Sequence, residues 1–299
     1  MHVVILGSAA GGGLPQWNCR CPICSLARED SSRVRPRTQS SIAVSPDGER
    51  WLLVNASPDI RQQLFDNPAM HPQEGLRHSP IHAVLLTNGD VDHVAGLLTL
   101  REGQAYTLYA TSGILDSVNA NRVFDVMAAD VVRREKIALN HTFEPVPGLT
   151  VTLFSVPGKV PLWLEDETME IGAETETTVG AMIEAGGRRL AYIPGCARVT
   201  DGLKQRISGV DALLFDGTVL LDDDMIRAGV GVKTGWRMGH VPMTGEGGSI
   251  AALADVEISR RVFVHINNTN PVLVEGSAER MSVEAEGWTV AHDGLTLSL

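Results

Sequence analysis

The sequence has no apolar run approaching the roughly 18–20 residues that a helix needs to span a bilayer, so membrane insertion is not expected. It also lacks a basic excess. The formal net charge is −11, which argues against nucleic-acid binding, because phosphate contacts need a basic surface. The same balance argues against an anionic membrane surface. Cysteine is scarce, with four in 299 residues and three of them within six positions. That is too few and too clustered for the disulfide framework of a small secreted domain. Phosphate-binding signatures are missing too. Residues 7–13 are glycine-rich but contain neither G-x-G-x-x-G nor G-K-[ST], so no nucleotide site is assigned. These glycines are read as places where backbone passes close to another element. The first residues have no cationic lead and no cleavage pattern. Residues 2–7 therefore read as a first strand, and the expected location is cytoplasmic.

What is present describes a globular α/β chain with ample core, 43% hydrophobic and 20% charged. No repeat, low-complexity stretch or linker divides it, so residues 1–299 read as one domain. Residues 40–45 and 51–55 flank Pro46-Asp47-Gly48 as a hairpin, and Pro58-Asp59 opens a helix to Phe65. Strands are expected at 81–86, 106–110 and 149–156, and a helix at 112–119. Residues 128–136 read as a helix that Val131 and Val132 weaken. Residues 178–185 and 188–193 pair through Gly186-Gly187. A strand at 211–215 delivers Asp216, a helix follows at 245–254, and a strand at 261–266 delivers His265. Residues 288–291 and 295–299 read as a closing hairpin around Asp293-Gly294. The simplest architecture is two sheets face to face with helices outside.

The chemistry concentrates at strand ends: Asp92, His93, Cys196, Asp216, His240 and His265. The central stretch, residues 85–98, runs from an apolar strand through Asn88-Gly89 to Asp92-His93 and a helical pattern. A carboxylate and an imidazole there are well placed to hold a metal. The alternative is that Asp92 caps the helix and His93 lies on its first turn. Cys19, Cys21 and Cys24 form a second cluster, within a segment near residues 17–26. Three thiols at this spacing can converge on structural zinc if the loop folds back, which Pro22 helps. The alternative is three reduced thiols, an oxidation liability. The fourth ligand is open.

Together these features resemble the metallo-β-lactamase fold family: strand, hairpin, Asp59, strand, then x-x-Asp92-His93, with Asp216 and His265 later. The resemblance implies a four-layer αββα sandwich with a metal site at its edge. The three cysteines resemble the zinc knuckle of phosphodiesterase members. In those members a histidine supplies the fourth ligand where this chain has Asn268. The departures are informative. Where the family has H-x-H-x-D-H, this chain has Asn88-x-Asp90-x-Asp92-His93, and residues 157–161 carry no histidine. Near the family's bridging aspartate it has Cys196. A two-metal clamp on a nucleophilic water is therefore not expected. Two histidines and a carboxylate remain (His93, His265 and Asp92), the set used by non-haem Fe(II) oxygenases.

Longer blocks, at residues 7–24, 87–93, 238–243 and 265–271, resemble a branch of that family serving biosynthesis of pyrroloquinoline quinone (PQQ). The resemblance implies an iron-dependent hydroxylase that uses O₂ on the tyrosine part of a crosslinked Glu-Tyr precursor, beside other enzymes of the pathway. Asp90 could be a further ligand or orient one, and His240 could be a ligand, a proton shuttle or a surface residue. Asn88, Asp216, Asp59 and Cys196 could support the ligands from behind. Arg198, Arg237 and Lys233 could meet substrate carboxylates, or be solvated surface charges. Two other functions fit less of the chain: a carrier moving PQQ or its precursor toward the periplasm, and a zinc-dependent hydrolase.

Overall fold

The computed structural model describes residues 1–159 and 171–299. Val160 and Pro161, part of the segment noted for its missing histidine, lie outside the described residues. One sheet contains β1 (His2–Gly7), β2 (Ser41–Ser45), β3 (Trp51–Val54), β4 (Ile81–Leu85), β5 (Tyr106–Ala110) and β6 (Val132–Lys136). The other contains β7 (Thr142–Val146), β8 (Leu149–Gly158), β9 (Ala173–Ala185), β10 (Arg188–Ile193), β11 (Ala212–Asp216), β12 (Arg261–Val264) and β13 (Trp288–Val290). The last strand, β14 (Thr296–Ser298), returns to the first sheet beside β1.

The strand orders are β14-β1-β2-β3-β4-β5-β6 and β13-β12-β11-β10-β9-β8-β7. In each sheet four consecutive strands pair antiparallel, β14-β1-β2-β3 in one and β7-β8-β9-β10 in the other, and the remaining three continue parallel. This repetition is one of pairing pattern, not of sequence. Side chains alternate strictly across the second sheet, as a strand period of two requires. Leu190, Tyr192, Ala212, Leu214, Val262 and Val264 face the core between the sheets. Ala191, Ile193, Leu213, Phe215 and Phe263 face an outer core, shared with Leu203, Ile207 and Val283 of flanking helices. On the other side Ile60, Ile114, Leu115 and Val118 come from the helices Ile60–Asp66 and Ser112–Asn119. The result is the four-layer αββα sandwich. No helix among the described residues is long and apolar enough to cross a membrane.

Four local expectations are corrected. Residues 132–136 form edge strand β6 parallel to β5, because β-branched Val131 and Val132 suit a pleated surface better than a helix. The last two strands are not a hairpin. β13 pairs with β12 and β14 with β1, so the Asp293-Gly294 turn crosses from one sheet to the other. Asp293 makes that crossing by accepting from Ser8 and Thr38, through backbone and hydroxyl groups of both. The cysteine segment is not a loop throughout: Pro22 starts the helix Pro22–Glu29, with Cys21 as its N-cap. The helix expected at 245–254 is one turn, Ser249–Ala252.

Parallel strands direct the site, since ligands in such sheets gather beyond their carboxyl ends. β4, β11 and β12 all end on the same edge of the sandwich, where the Asn88–Thr178 bridge joins the two sheets. The turn after His93 is packed tightly on the exit of β3. Ala56 donates to the His93 carbonyl at 2.8 Å, and Gly96 donates to the Ala56 carbonyl at 2.9 Å. A Cβ on Gly96 would lie 2.1 Å from the Ser57 carbonyl oxygen. Gly96→Ala is expected to destabilise the fold by about 1–3 kcal/mol through this backbone clash, measured by urea unfolding.

Candidate metal centres

The first centre is assembled from three strand ends. After β4, Asn55, in a left-handed conformation at φ 64°, accepts from the Thr87 backbone at 2.9 Å and fixes the strand exit. Asn88 then turns the chain, and the short helix Val91–Val94 carries Asp92 and His93. The capping alternative does not describe Asp92: the N-cap position is Asp90, and no side-chain cap bond is made. Asp92 instead directs Oδ2 to Nε2 of His265 at 3.1 Å, with Nε2 of His93 at 3.8 Å. One ligand atom from each of Asp92, His93 and His265 falls within 4.8 Å of the others.

Each imidazole is oriented from behind. His93 Nδ1 donates to Asn88 Oδ1 at 2.7 Å, which leaves Nε2 as the lone-pair nitrogen. That Nε2 is buried and has no hydrogen-bond partner. His265 follows β12 at φ 56°, and its Nδ1 meets the Thr218 hydroxyl at 2.9 Å. Thr218 donates its hydroxyl proton to Asp216 at 2.7 Å, so toward His265 it acts as the acceptor. Asp216 Oδ2 accepts Nδ1–H of His240 at 2.7 Å. The rings of His240 and His265 stack with centroids 5.1 Å apart.

The charges are strongly coupled. Burial opposes charge on Asp92, yet His93 and His265 hold its carboxyl well below the usual range. Burial pushes the His93 imidazole down, against the pull of Asp92. Burial acts in the same sense on His265, but the hydrogen bond and charge of Asp92 raise it overall. A divalent cation fits this donor set: it would satisfy the orphaned His93 nitrogen and replace the proton between His265 and Asp92.

Asp92 and His265 open on a cavity of about 350 Å³, lined also by Gln16, Asp90, Lys159, Lys233, His240 and Asn267, with His93 buried behind them. Lys233 thus lines the cavity, whereas Arg198 lines a neighbouring one of about 580 Å³ and Arg237 is exposed and lines neither. Cys196 is buried away from the trio. Its N–H donates to Asp216, its thiol donates to the Arg198 carbonyl at 3.0 Å, and burial pushes its pKa up. Asp59 does not reach the trio. It accepts from Gln39 through both backbone and side chain, and Gln39 in turn holds Gly12. Its support goes to the glycine loop, where Gly11 packs on Asp92. Thr218 and Lys159 were not singled out from sequence. Asp216-Gly217-Thr218 carried a readable signal for the first, an aspartate accepting a backbone N–H two residues on, here at 3.0 Å.

The second centre brings Cys19, Cys21 and Cys24 together, with sulfurs within 4.8 Å of one another. All three are buried. The N–H of Cys21 donates to Cys19 Sγ and that of Cys24 to Cys21 Sγ, each at 3.4 Å. Arg28 clamps the segment by donating to the carbonyls of Gln16 and Cys19 at 2.6 and 2.7 Å. Burial opposes ionisation, but hydrogen bonds from its neighbours lower the Cys19 pKa, while burial and the adjoining thiols push Cys21 up to about 12. Converging buried thiols of this kind suit a closed tetrahedral zinc site.

With the geometry in place, comparison with known proteins is direct. The model of the beta-lactamase superfamily domain matches residues 50–266. The coenzyme PQQ synthesis protein B of Methylobacterium radiotolerans is 85% identical over 299 residues, the whole of both chains. That of Rhizobium meliloti is 54% identical over all of this chain and 98% of its own. The crystal structure of Zn(2+)-bound PqqB from Methylobacterium extorquens is 84% identical, covers both chains fully and superposes with a TM-score of 0.99. A diphosphatase of the PhnP family shares the fold at 21% identity and a TM-score of 0.70, over 99% of this chain and 96% of its own. The chain belongs to the coenzyme PQQ synthesis protein B family within the beta-lactamase superfamily.

Asn88→Ala removes the acceptor that fixes the His93 tautomer. It is expected to weaken metal binding at the first centre by about 10–100-fold with the fold retained, read by chelator competition and circular dichroism.

Proposed function

We propose that this protein acts in PQQ biosynthesis as a metal-dependent hydroxylase of the tyrosine ring in a crosslinked Glu-Tyr precursor. Fe(II) would be held by Asp92, His93 and His265, and O₂ would be the cosubstrate. The observation that carries this reading is the buried, unpartnered Nε2 of His93, facing a carboxylate and a second imidazole. Two imidazoles, one carboxylate and open positions form the donor set with which Fe(II) activates O₂. Asn88 is committed to His93, so the loop offers no pair of imidazoles for a second ion. The relatives' names support the pathway, and the zinc in the Methylobacterium extorquens protein supports a divalent metal.

Insertion of one oxygen atom into an aromatic C–H consumes O₂, two electrons and two protons and yields the phenol and water. The electrons must come from an external reductant. The chain's own part is positioning. Asp216 holds Nδ1–H of His240, so Nε2 is the nitrogen presented to the cavity, ready to take a phenol proton. Asp90 lines the same cavity as a second proton acceptor. Lys159 and Lys233 line the cavity, where their side chains would recognise precursor carboxylates. The cysteine centre would hold structural Zn(II). The precursor would pass from and to other enzymes of PQQ biosynthesis in the cytoplasm.

Zinc in the relative favours a second reading, a zinc-dependent hydrolase, which would cleave an amide or ester precursor without O₂. The test is anaerobic loading with Fe(II), then exposure to O₂ and a reductant with a Glu-Tyr-type precursor, followed by mass spectrometry. The expected result is a gain of oxygen atoms that disappears in His93→Ala and His265→Ala. Cleavage without O₂ would replace the reading with the hydrolase. PQQ binding with no oxygen gain would replace it with a carrier.

A further inference from the structure

A second cavity, of about 580 Å³, lies beside the metal cavity. The two share a wall. Pro194 and Gly195 line the metal cavity, and Ala197 and Arg198 line its neighbour. The one-turn helix Gly235–Met238 likewise gives Met238 to the first and Trp236 to the second. Trp236 is 43% exposed. Arg198 is exposed too, and its guanidinium has no hydrogen bond or ion pair among the described residues. A Cβ on Gly172 would stand 3.2 Å from Cη2 of Trp236 and 3.8 Å from Nε of Arg198. Indole and guanidinium therefore meet over one glycine, whose missing side chain leaves room for both. Of the three carboxylates on this cavity, two are engaged elsewhere. Asp222 Oδ1 accepts the backbone N–H of Trp236 at 2.7 Å, and Asp223 Oδ1 pairs with Arg227 at 2.7 Å. Glu246 is exposed to solvent and forms no ion pair with Arg198. The backbone N–H groups of Gly245, Glu246 and Gly247, on the same cavity, make no hydrogen bond to the described residues.

We propose that this cavity is a second small-molecule site, which takes a planar aromatic ligand carrying two or more carboxylates. It goes beyond the hydroxylase reading and does not depend on it. A guanidinium offers a carboxylate two parallel N–H donors in one plane. An indole beside it takes a flat ring by stacking. Both groups act on one molecule only if that molecule is flat and anionic. The N–H groups of residues 245–247 add uncharged donors for a second carboxylate, and Gly245 and Gly247, at φ 86° and 70°, give the backbone the turn that such anion-binding concavities use. An uncharged ring would leave Arg198 without a partner, and a phosphate alone would leave the indole idle. A volume of this size accommodates two or three fused rings. The site also lies next to the chemistry. His240 donates its backbone N–H to the Gly235 carbonyl at 2.9 Å, so a ligand against Trp236 rests on the same turn that places His240.

The test uses the full-length protein with naphthalene-2,6-dicarboxylate as the probe, and binding is followed by titration calorimetry. One equivalent should bind. Arg198→Met, which removes the cation, and Trp236→Leu, which removes the ring, should each weaken binding at least about tenfold. The uncharged naphthalene-2,6-dimethanol and the non-planar cyclohexane-1,4-dicarboxylate should bind at least about tenfold more weakly than the probe. Lys233→Met, a change in the metal cavity, should leave the affinity as it is. The proposal is overturned if the wild-type protein does not bind the probe, or if Arg198→Met binds it as tightly as wild type. It is overturned equally if Lys233→Met weakens binding as much as Arg198→Met does, which would put the probe in the metal cavity. Equal binding of the cyclohexane dicarboxylate would reduce the cavity to a patch of charge and remove the aromatic class. Arg198 is exposed, so its variant decides the matter even if Trp236→Leu fails to fold. The measurement needs neither metal nor O₂, so its failure and a failure of the hydroxylase reading are separate outcomes.

Discussion

The site depends on one tight segment, the chain that leaves β12. His265 adopts φ 56°, a conformation that costs a non-glycine residue about 1–3 kcal/mol and persists only where surroundings enforce it. Here they do. Ile266 exchanges hydrogen bonds with the β1 exit, accepting from Ala10 and donating to Ser8, each at 2.9 Å. Asn267 bonds to the β11 exit at Thr218, and Asn270 donates to the carbonyls of Gly217 and Thr218. Within six residues the segment therefore joins an exit of the first sheet to two of the second. It points His265 at Asp92 on one side and Asn268 at the three sulfurs on the other. The two candidate metal centres are in this sense one construction, because a shift of this strap would disturb both donor sets.

Around that strap the polar groups are arranged so that each imidazole has one nitrogen fixed and one facing the cavity or the trio. Asn88, Thr218 and Asp216 do this for His93, His265 and His240 respectively. All three orienting groups are themselves buried. An isolated buried imidazole could rotate or change tautomer at little cost. A hydrogen bond of about 2.7–2.9 Å to a held partner fixes both ring angle and tautomer. The opposite directions of the His93 and His265 pKa shifts follow from the same placement. His265 is the ring directly bonded to Asp92, whereas His93 is buried with its Nε2 unpaired.

Much of this was legible in the sequence, for identifiable reasons. Strand ends at Asp92, Asp216 and His265 showed as apolar runs stopping at a polar residue, and β4, β11 and β12 fall where those runs lie. The hairpin through Gly186-Gly187 showed because a two-residue turn leaves a local signature. The non-local features stayed hidden. The assignment of β13 and β14 to different sheets depends on pairing across almost the whole chain, which no local pattern encodes. Edge strand β6 carries charged residues, Arg133, Arg134 and Glu135, that mask its period. Thr218 was missed because a threonine two residues past a strand end is ordinary. It becomes informative only when two histidines from distant segments arrive at its hydroxyl. Asn268 stood in the sequence only as a poor substitute for histidine. Its contact with all three sulfurs is visible only in the fold.

One further choice can be made from hydrogen-bond arithmetic. Asp216, His240 and His265 also bring ligand atoms within 4.8 Å of one another and could be taken for a second ion site. A carboxylate has about four acceptor positions, and Asp216 fills them. The N–H of Cys196 and the Nδ1–H of His240 occupy Oδ2, while the N–H and hydroxyl of Thr218 occupy Oδ1. An ion there would have to displace bonds that orient two histidines. At the other trio, an ion displaces one proton between Asp92 and His265 and gives His93 the partner it lacks. Leaving a buried nitrogen unpaired costs about 1–3 kcal/mol, so the first position gains where the second loses. The Asp216 group is therefore the frame that aims the histidines, and Asp92, His93 and His265 are the donors it aims.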